Sequence, residues 1–184
     1  MAHMEQREFF KRVRFRFPQK FCGVRILDVG SWDVNGNLRY MIGEGSSYLG
    51  VDVSYGPNVD LVLPGHEVRD NVGFGAVLSA ECLEHDQHWP DTLLNMWKLL
   101  VPGGIMAISC ATTGRLEHGT RRSEPNCAPA LQSLGTEWAD YYRNLTQGDL
   151  LSVFNPIDSY FATFEFSTQD RTHDLYFWGI KPAG

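Results

Sequence analysis

The forty residues Val24–Leu63, VRILDVGSWDVNGNLRYMIGEGSSYLGVDVSYGPNVDLVL, constrain the fold of this chain more than any other stretch. An apolar run, Val24–Val29, enters Asp28-Val29-Gly30 and then a polar, turn-prone SWDVNGN. A helix with weak apolar spacing (Leu38, Met41, Ile42) is predicted next. A second strand, Tyr48–Val53, follows and carries Asp52 near its end, 22 residues after Gly30. A strand that runs into a glycine turn and a helix N-terminus makes a site shaped for a nucleotide. An acid closing the next strand stands where ribose hydroxyls would be held. The glycines do not follow the dinucleotide fingerprint G-x-G-x-x-G. Gly30 stands alone, with Trp32 at the place of the second glycine, where it would crowd a pyrophosphate. A nicotinamide-dependent oxidoreductase is therefore the weaker nucleotide reading.

The rest of the chain repeats the alternation. Gln6–Arg14 has helical spacing (Phe9, Phe10, Val13), and Pro18 ends it. Val59–Leu63 reads as a third short strand stopping at Pro64-Gly65. Phe74–Ala80 and Gly104–Ala111 read as buried strands. Trp89–Leu100 reads as the helix between them, ending before Pro102-Gly103-Gly104. Five strand signals interleaved with helices predict a doubly wound parallel sheet. Past Ala111, Leu145–Phe154 reads as a helix capped by Thr146 with Asp149 three residues on. Tyr160–Ser167 and His173–Lys181 read as a closing hairpin joined by TQDRT. A length of 184 residues suits one domain over residues 1–184, with residues 1–4 read as a cloning remnant before the natural start.

Charge and composition exclude several classes. No apolar run approaches the roughly 20 residues of a membrane span, and MAHMEQREFF lacks a signal peptide's apolar core, so a cytoplasmic protein is expected. The formal net charge is −6, yet residues 1–25 hold seven basic residues against two acidic ones, leaving an acidic remainder. An acidic body disfavours nucleic acid as a partner. The basic KRVRFRF stretch either meets an anionic partner or is a solvated face. Cys22, Cys82, Cys110 and Cys127 form no C-x-x-C pair and are expected to be reduced, buried thiols. Glu84, His85, Asp86 and His88 lie close in sequence but lack the HExxH spacing, and Trp89-Pro90 interrupts them, so no metal is expected.

Asp28 and Gly30 in DVGSWDVNG resemble the first motif of the class I S-adenosylmethionine (SAM)-dependent methyltransferases, D/E-x-G-x-G-x-G. Trp32 and Val34 replace its later glycines. The segment FGAVLSAECLEHDQHWPDTLLNMWKLLVPGGIMAIS resembles the same family's E-x-L-E-H strand end, amphipathic helix and L-x-PGG strand, with Gly75 at the place of the usual aspartate. The resemblance covers residues 24–111. GRLEHG followed by DYYRNLTQGDL is also similar to small bacterial and phage-type methyltransferases, and the chain as a whole resembles the small, single-domain, type-11-like members of the class. The fold implied is a Rossmann-like α/β/α sandwich on a seven-stranded sheet, mostly parallel, whose last strand is inserted antiparallel between the fifth and sixth.

The resemblance implies a methyltransferase with SAM as cofactor and S-adenosylhomocysteine (SAH) as product. Asp52 would hold the ribose and Val53 would lie against adenine, with His66 or its neighbours at the adenine edge. Asp28 would reach the cofactor's amino group, and Gly30, Ser31, Trp32 and Asn35 would line its turn. Ser79, Ala80 and Glu81 would lie beneath the sulfonium. Methyl transfer needs a base only where the acceptor must lose a proton; His118, His85 and Glu84 are the candidates. An O or N nucleophile of a small molecule is the expected acceptor. A macromolecular acceptor, or a non-catalytic SAM- or SAH-binding regulatory protein, is the alternative. The short stretch between the fifth strand and the hairpin predicts an open site or one closed by a partner subunit, which allows a homo-oligomer.

Overall fold

The computed structural model describes residues 4–184; residues 1–3 of the expected remnant lie outside the described residues. Seven strands form one sheet: β1 (Arg25–Val29), β2 (Ser47–Asp52), β3 (Leu61–Val62), β4 (Phe74–Ala80), β5 (Leu100–Ala111), β6 (Thr163–Gln169) and β7 (Asp174–Ile180). Their order across the sheet is β3-β2-β1-β4-β5-β7-β6. The first five pair parallel, and β7 runs antiparallel between β5 and β6. The expected seven-stranded Rossmann-like sheet and its inserted last strand are both present.

Strand periodicity divides the core into two layers. Leu27, Val77, Met106, Ile108, Leu175 and Phe177 face one side, where α2 (Trp89–Leu99) and α5 (Gln147–Val153) bring Leu93, Met96 and Leu150. Ile26, Ala76, Leu78, Ile105, Ala107, Tyr176 and Trp178 face the other. There α1 (Met4–Arg16) lays Phe9, Phe10 and Val13 against the sheet, beside Leu38 and Met41. The Phe9 ring stacks on Tyr176 at 4.7 Å. The basic stretch of α1 is partly structural: Arg14 donates to the carbonyls of Tyr40 and Ile42, and Arg16 pairs with Glu165 at 2.8 Å.

Three local expectations are corrected. The helix expected after β1 is only a 3-10 turn, Arg39–Met41. The Asp33 side chain accepts from the Gly36 N–H and the Asn37 amide at 2.6 and 2.7 Å, and such local bonds compete with helix formation. Pro102-Gly103-Gly104 is a bulge within β5 rather than a turn before it. Phe74 pairs with Leu100 while Ala76 pairs with Ile105, and Gly103 adopts φ +73°. Cys22 is exposed, whereas Cys110 is buried. Gly75, at the place of the usual aspartate, has a packing reason: a Cβ there would stand 2.6 Å from the Val24 side chain.

Candidate active site

The carboxyl ends of β1, β2 and β4 open into one cavity holding about 1000 Å³ of space, its solvent-open part included. Such a crevice beyond the strand ends is where open α/β sheets bind ligands. Asp28, Gly30, Ser31, Trp32, Asn35, Asp52, Val53, Ala80, Glu81 and His85 all line it.

Each is held there by its neighbours. Gly30 adopts φ +80°, and a Cβ there would lie 2.3 Å from the Cys82 side chain, so the chain's own packing demands glycine. The Asp52 carboxylate accepts from the backbone N–H groups of Trp32 and Val53 at 2.9 and 2.8 Å, which locks the turn after β1 onto the end of β2. The Trp32 indole packs over Gly56, where a Cβ would come within 2.6 Å of the ring. Ser31 donates to the Asn58 carbonyl at 3.2 Å.

Two carboxylates give the cavity its electrostatic character. Asp28 accepts from the Tyr48 hydroxyl through one oxygen, while the other oxygen is buried without a hydrogen-bond partner. Burial pushes Asp28 up to about 7, against the Tyr48 hydrogen bond, and the nearby Asp52 adds to the rise. Burial likewise raises Asp52 to about 6, opposed by the Trp32, Val53 and Ser54 amides. Such a pair suits a ligand that brings a cation and hydroxyl donors.

Four expected residues lie off this wall, His118 among them. Ser79 is fully buried and donates to the Val29 carbonyl at 2.8 Å, tying β4 to β1. The His66 ring packs against His88 at 4.4 Å, and its neighbours Leu63 and Gly65 face the cavity instead. Glu84 is fully buried behind it.

The three candidate bases nevertheless converge. His85 and His118 meet edge to face at 5.1 Å, and Tyr142 contacts both rings. Ligand-type atoms of Glu84, His85 and His118 lie within 4.8 Å of one another. His118 lines a second cavity beside the first, and Cys127 lines both. The Nδ1 of His118 faces the Leu116 carbonyl at 3.0 Å, leaving Nε2 buried without a partner. Desolvation lowers His85 to about 3 and lowers His118, so both imidazoles are neutral near pH 7; desolvation and the nearby Glu81 raise Glu84. Asp86 and His88 are not part of this group: Asp86 accepts from the Thr92 hydroxyl and from the His88 N–H at the start of α2.

The rest of the wall has no counterpart in the sequence reading. Gln6 and Arg7 reach it from α1, and Tyr40 from the 3-10 turn. Cys127–Leu131 and Trp138 enclose it from the segment after β5, which Ser54 ties to the end of β2 by donating to the Ala130 carbonyl at 2.7 Å. The expected open site is thus partly covered by the chain itself. Only irregular, non-periodic sequence encodes that cover: α3 (Pro129–Gln132) and α4 (Thr136–Ala139) have four residues each.

No family model and no curated protein matches the chain. Solved structures do. The 1,6-didemethyltoxoflavin-N1-methyltransferase of Burkholderia thailandensis, solved with SAH, is similar at TM-score 0.64 and 18% identity over 96% of this chain and 78% of its own. The magnesium protoporphyrin IX methyltransferase of Synechocystis, also solved with SAH, is similar at 0.61 and 11%, over 96% and 83%. The [4+2]-cyclase SpnF is similar at 0.65 and 15%, over 96% and 81%. The chain therefore has the class I methyltransferase fold. The cyclase among these neighbours marks the limit of what a fold says about chemistry.

Proposed function

We propose that the cavity binds SAM and that the protein transfers its methyl group to an O or N nucleophile of a small molecule, releasing SAH. The observation that carries this reading is the unpartnered Asp28 oxygen beside Asp52, at the ends of adjacent parallel strands in one cavity. The SAM ammonium supplies the cation that Asp28 lacks, and the ribose hydroxyls donate to Asp52. Val53 and Leu63 offer apolar contact to adenine. The Gly30 turn, Asn35, Ala80 and Glu81 enclose the methionine part. The neighbours solved with SAH support the same cofactor.

The reaction is a direct displacement: the nucleophile bonds to the methyl carbon as the sulfur–carbon bond breaks, and the electron pair returns to sulfur. The protein's main task is alignment. A proton lost by the acceptor passes to His118 or His85, neutral imidazoles at the junction of the two cavities, with Glu84 behind them. The cover formed by residues 127–138 favours a small acceptor over a macromolecule. Four free cysteines suit the reducing cytoplasm, and among the described residues no helix is long and apolar enough to cross a membrane.

Melting temperatures with SAM, SAH, NAD and no ligand test the reading, because a ligand of the native state raises stability by mass action. A rise with the two adenosyl ligands and not with NAD is expected. A rise with NAD alone, or with none of the three, would overturn it.

A further inference from the structure

The Glu84–His85–His118 cluster carries an inference that does not depend on the cofactor reading. Glu84 has no exposed surface, and His85 and His118 are 6% and 5% exposed. Neither Glu84 carboxylate oxygen has a hydrogen-bond partner of good geometry, although the Glu84 and Ala111 amides are near enough to favour its charged form. The Nδ1 of His85 and the Nε2 of His118 are also buried and without a partner. Four unsatisfied polar atoms on three adjacent buried side chains is a rare arrangement in a folded protein, where buried polar groups are paired. Each of the three residues can present a lone pair, and none of the four atoms has a hydrogen-bond partner of good geometry.

We propose that Glu84, His85 and His118 form a binding site for a divalent first-row transition-metal ion. The atoms lie within 4.8 Å of one another, a span that a central ion at about 2.0–2.2 Å from each ligand closes with small side-chain adjustments. Two imidazoles and one carboxylate favour zinc, manganese, iron or cobalt over magnesium and calcium, which prefer all-oxygen shells. The contact of His118 Nδ1 with the Leu116 carbonyl is the outer-shell bond that fixes a ligating histidine's tautomer and aims its other nitrogen inward. The Glu81 carboxylate, whose charge already acts on Glu84, adds negative potential. Entry is available from both sides, since His85 lines the main cavity and His118 the second. Three protein ligands leave coordination positions open, as in metal sites that bind a substrate or water. With an ion bound, the histidine nitrogens are ligands, so the proton-accepting role given them above belongs to the ion-free cluster.

In the sequence, Glu84 and His85 stand beside Asp86 and His88, a set that lacks metal-ligand spacing. The fold instead recruits His118, 33 residues further on, and turns Asp86 and His88 away.

The test is a titration of Co2+ into the full-length protein stripped with EDTA, with His3 replaced by Ala so that the amino-terminal histidine contributes nothing. Visible d–d absorption and calorimetry report the binding. One equivalent of Co2+ bound, with a higher melting temperature and no displacement by equimolar Mg2+, is expected. His118→Asn and Glu84→Gln should each weaken the binding at least tenfold, while His88→Asn leaves it unchanged. Circular dichroism checks that each variant is folded. If Glu84→Gln does not fold, the wild-type titration and His118→Asn still decide the matter. The absence of saturable Co2+ binding to the wild type would overturn the proposal and leave a hydrated polar pocket. Undiminished binding in folded His118→Asn would overturn it equally.

Discussion

At the residue scale, the site depends on a few side chains whose surroundings leave them one conformation. Asp52 is held by the Trp32 and Val53 amides before any ligand arrives, so its carboxylate is already oriented at the end of β2. Asp52→Ala should weaken SAM binding at least tenfold, about the effect of one or two lost hydrogen bonds to a partly buried acid. Calorimetric titration measures it, and unchanged affinity would remove Asp52 from the ribose site. Residue identity also explains the departures from the family pattern. Trp32 occupies a glycine position of the motif without filling the cavity, because Gly56 gives its indole a surface to lie on. Gly75 replaces an aspartate because Val24 occupies the space that any Cβ would need.

At the scale of elements, one helix start was readable in full. Thr146 accepts from the Asp149 N–H at 3.2 Å, and Asp149 accepts from the Thr146 N–H at 2.8 Å, completing the reciprocal cap of α5. Asp149 also pairs with Arg143 at 2.6 Å. Thr146→Ala should lower stability by about 1 kcal/mol, seen as a lower denaturation midpoint at unchanged slope. The elements that failed to match expectation did so for local reasons. Asp33 satisfies backbone and amide donors within its own loop, which removes the helix after β1; the extra residues at 101–104 are absorbed as a bulge because β4 and β5 stay paired on both sides of it.

At the scale of the whole molecule, the cavity sets a dependence of stability on pH. Asp28 rises to about 7 and Asp52 to about 6 in the folded protein, both above their unfolded values, so the folded state binds more protons across that interval. The stability they contribute is complete below about pH 4 and is lost as pH rises through about 6 to 7. For Asp28 the full shift corresponds to something on the order of 4 kcal/mol. Asp28→Asn should therefore flatten the fall in melting temperature of the ligand-free protein between about pH 4 and 7, relative to wild type. Parallel curves for the two proteins would mean that Asp28 ionises in the fold as readily as in the unfolded chain.

The resemblance to the class I methyltransferases implied the inserted last strand, while the sequence by itself determined the strands, their alternation with helices and most of the cavity wall. Those properties are local: strand periodicity, a glycine turn after an apolar run, an acid closing the next strand, a capping pair three residues apart. Ten of the expected residues, from Asp28 to His85, line one cavity because β1, β2 and β4 end side by side in a parallel sheet. Only the tertiary structure decided that α1 covers one sheet face and lends Gln6 and Arg7 to the cavity, and that residues 127–138 cover it. It also decided that His118 meets Glu84 and His85 while Asp86, His66 and Ser79 turn to a bond with Thr92, ring packing and a strand tie. Those outcomes rest on contacts between residues far apart in the chain, made by packing and burial, and carried by no periodicity or spacing that a linear reading could follow.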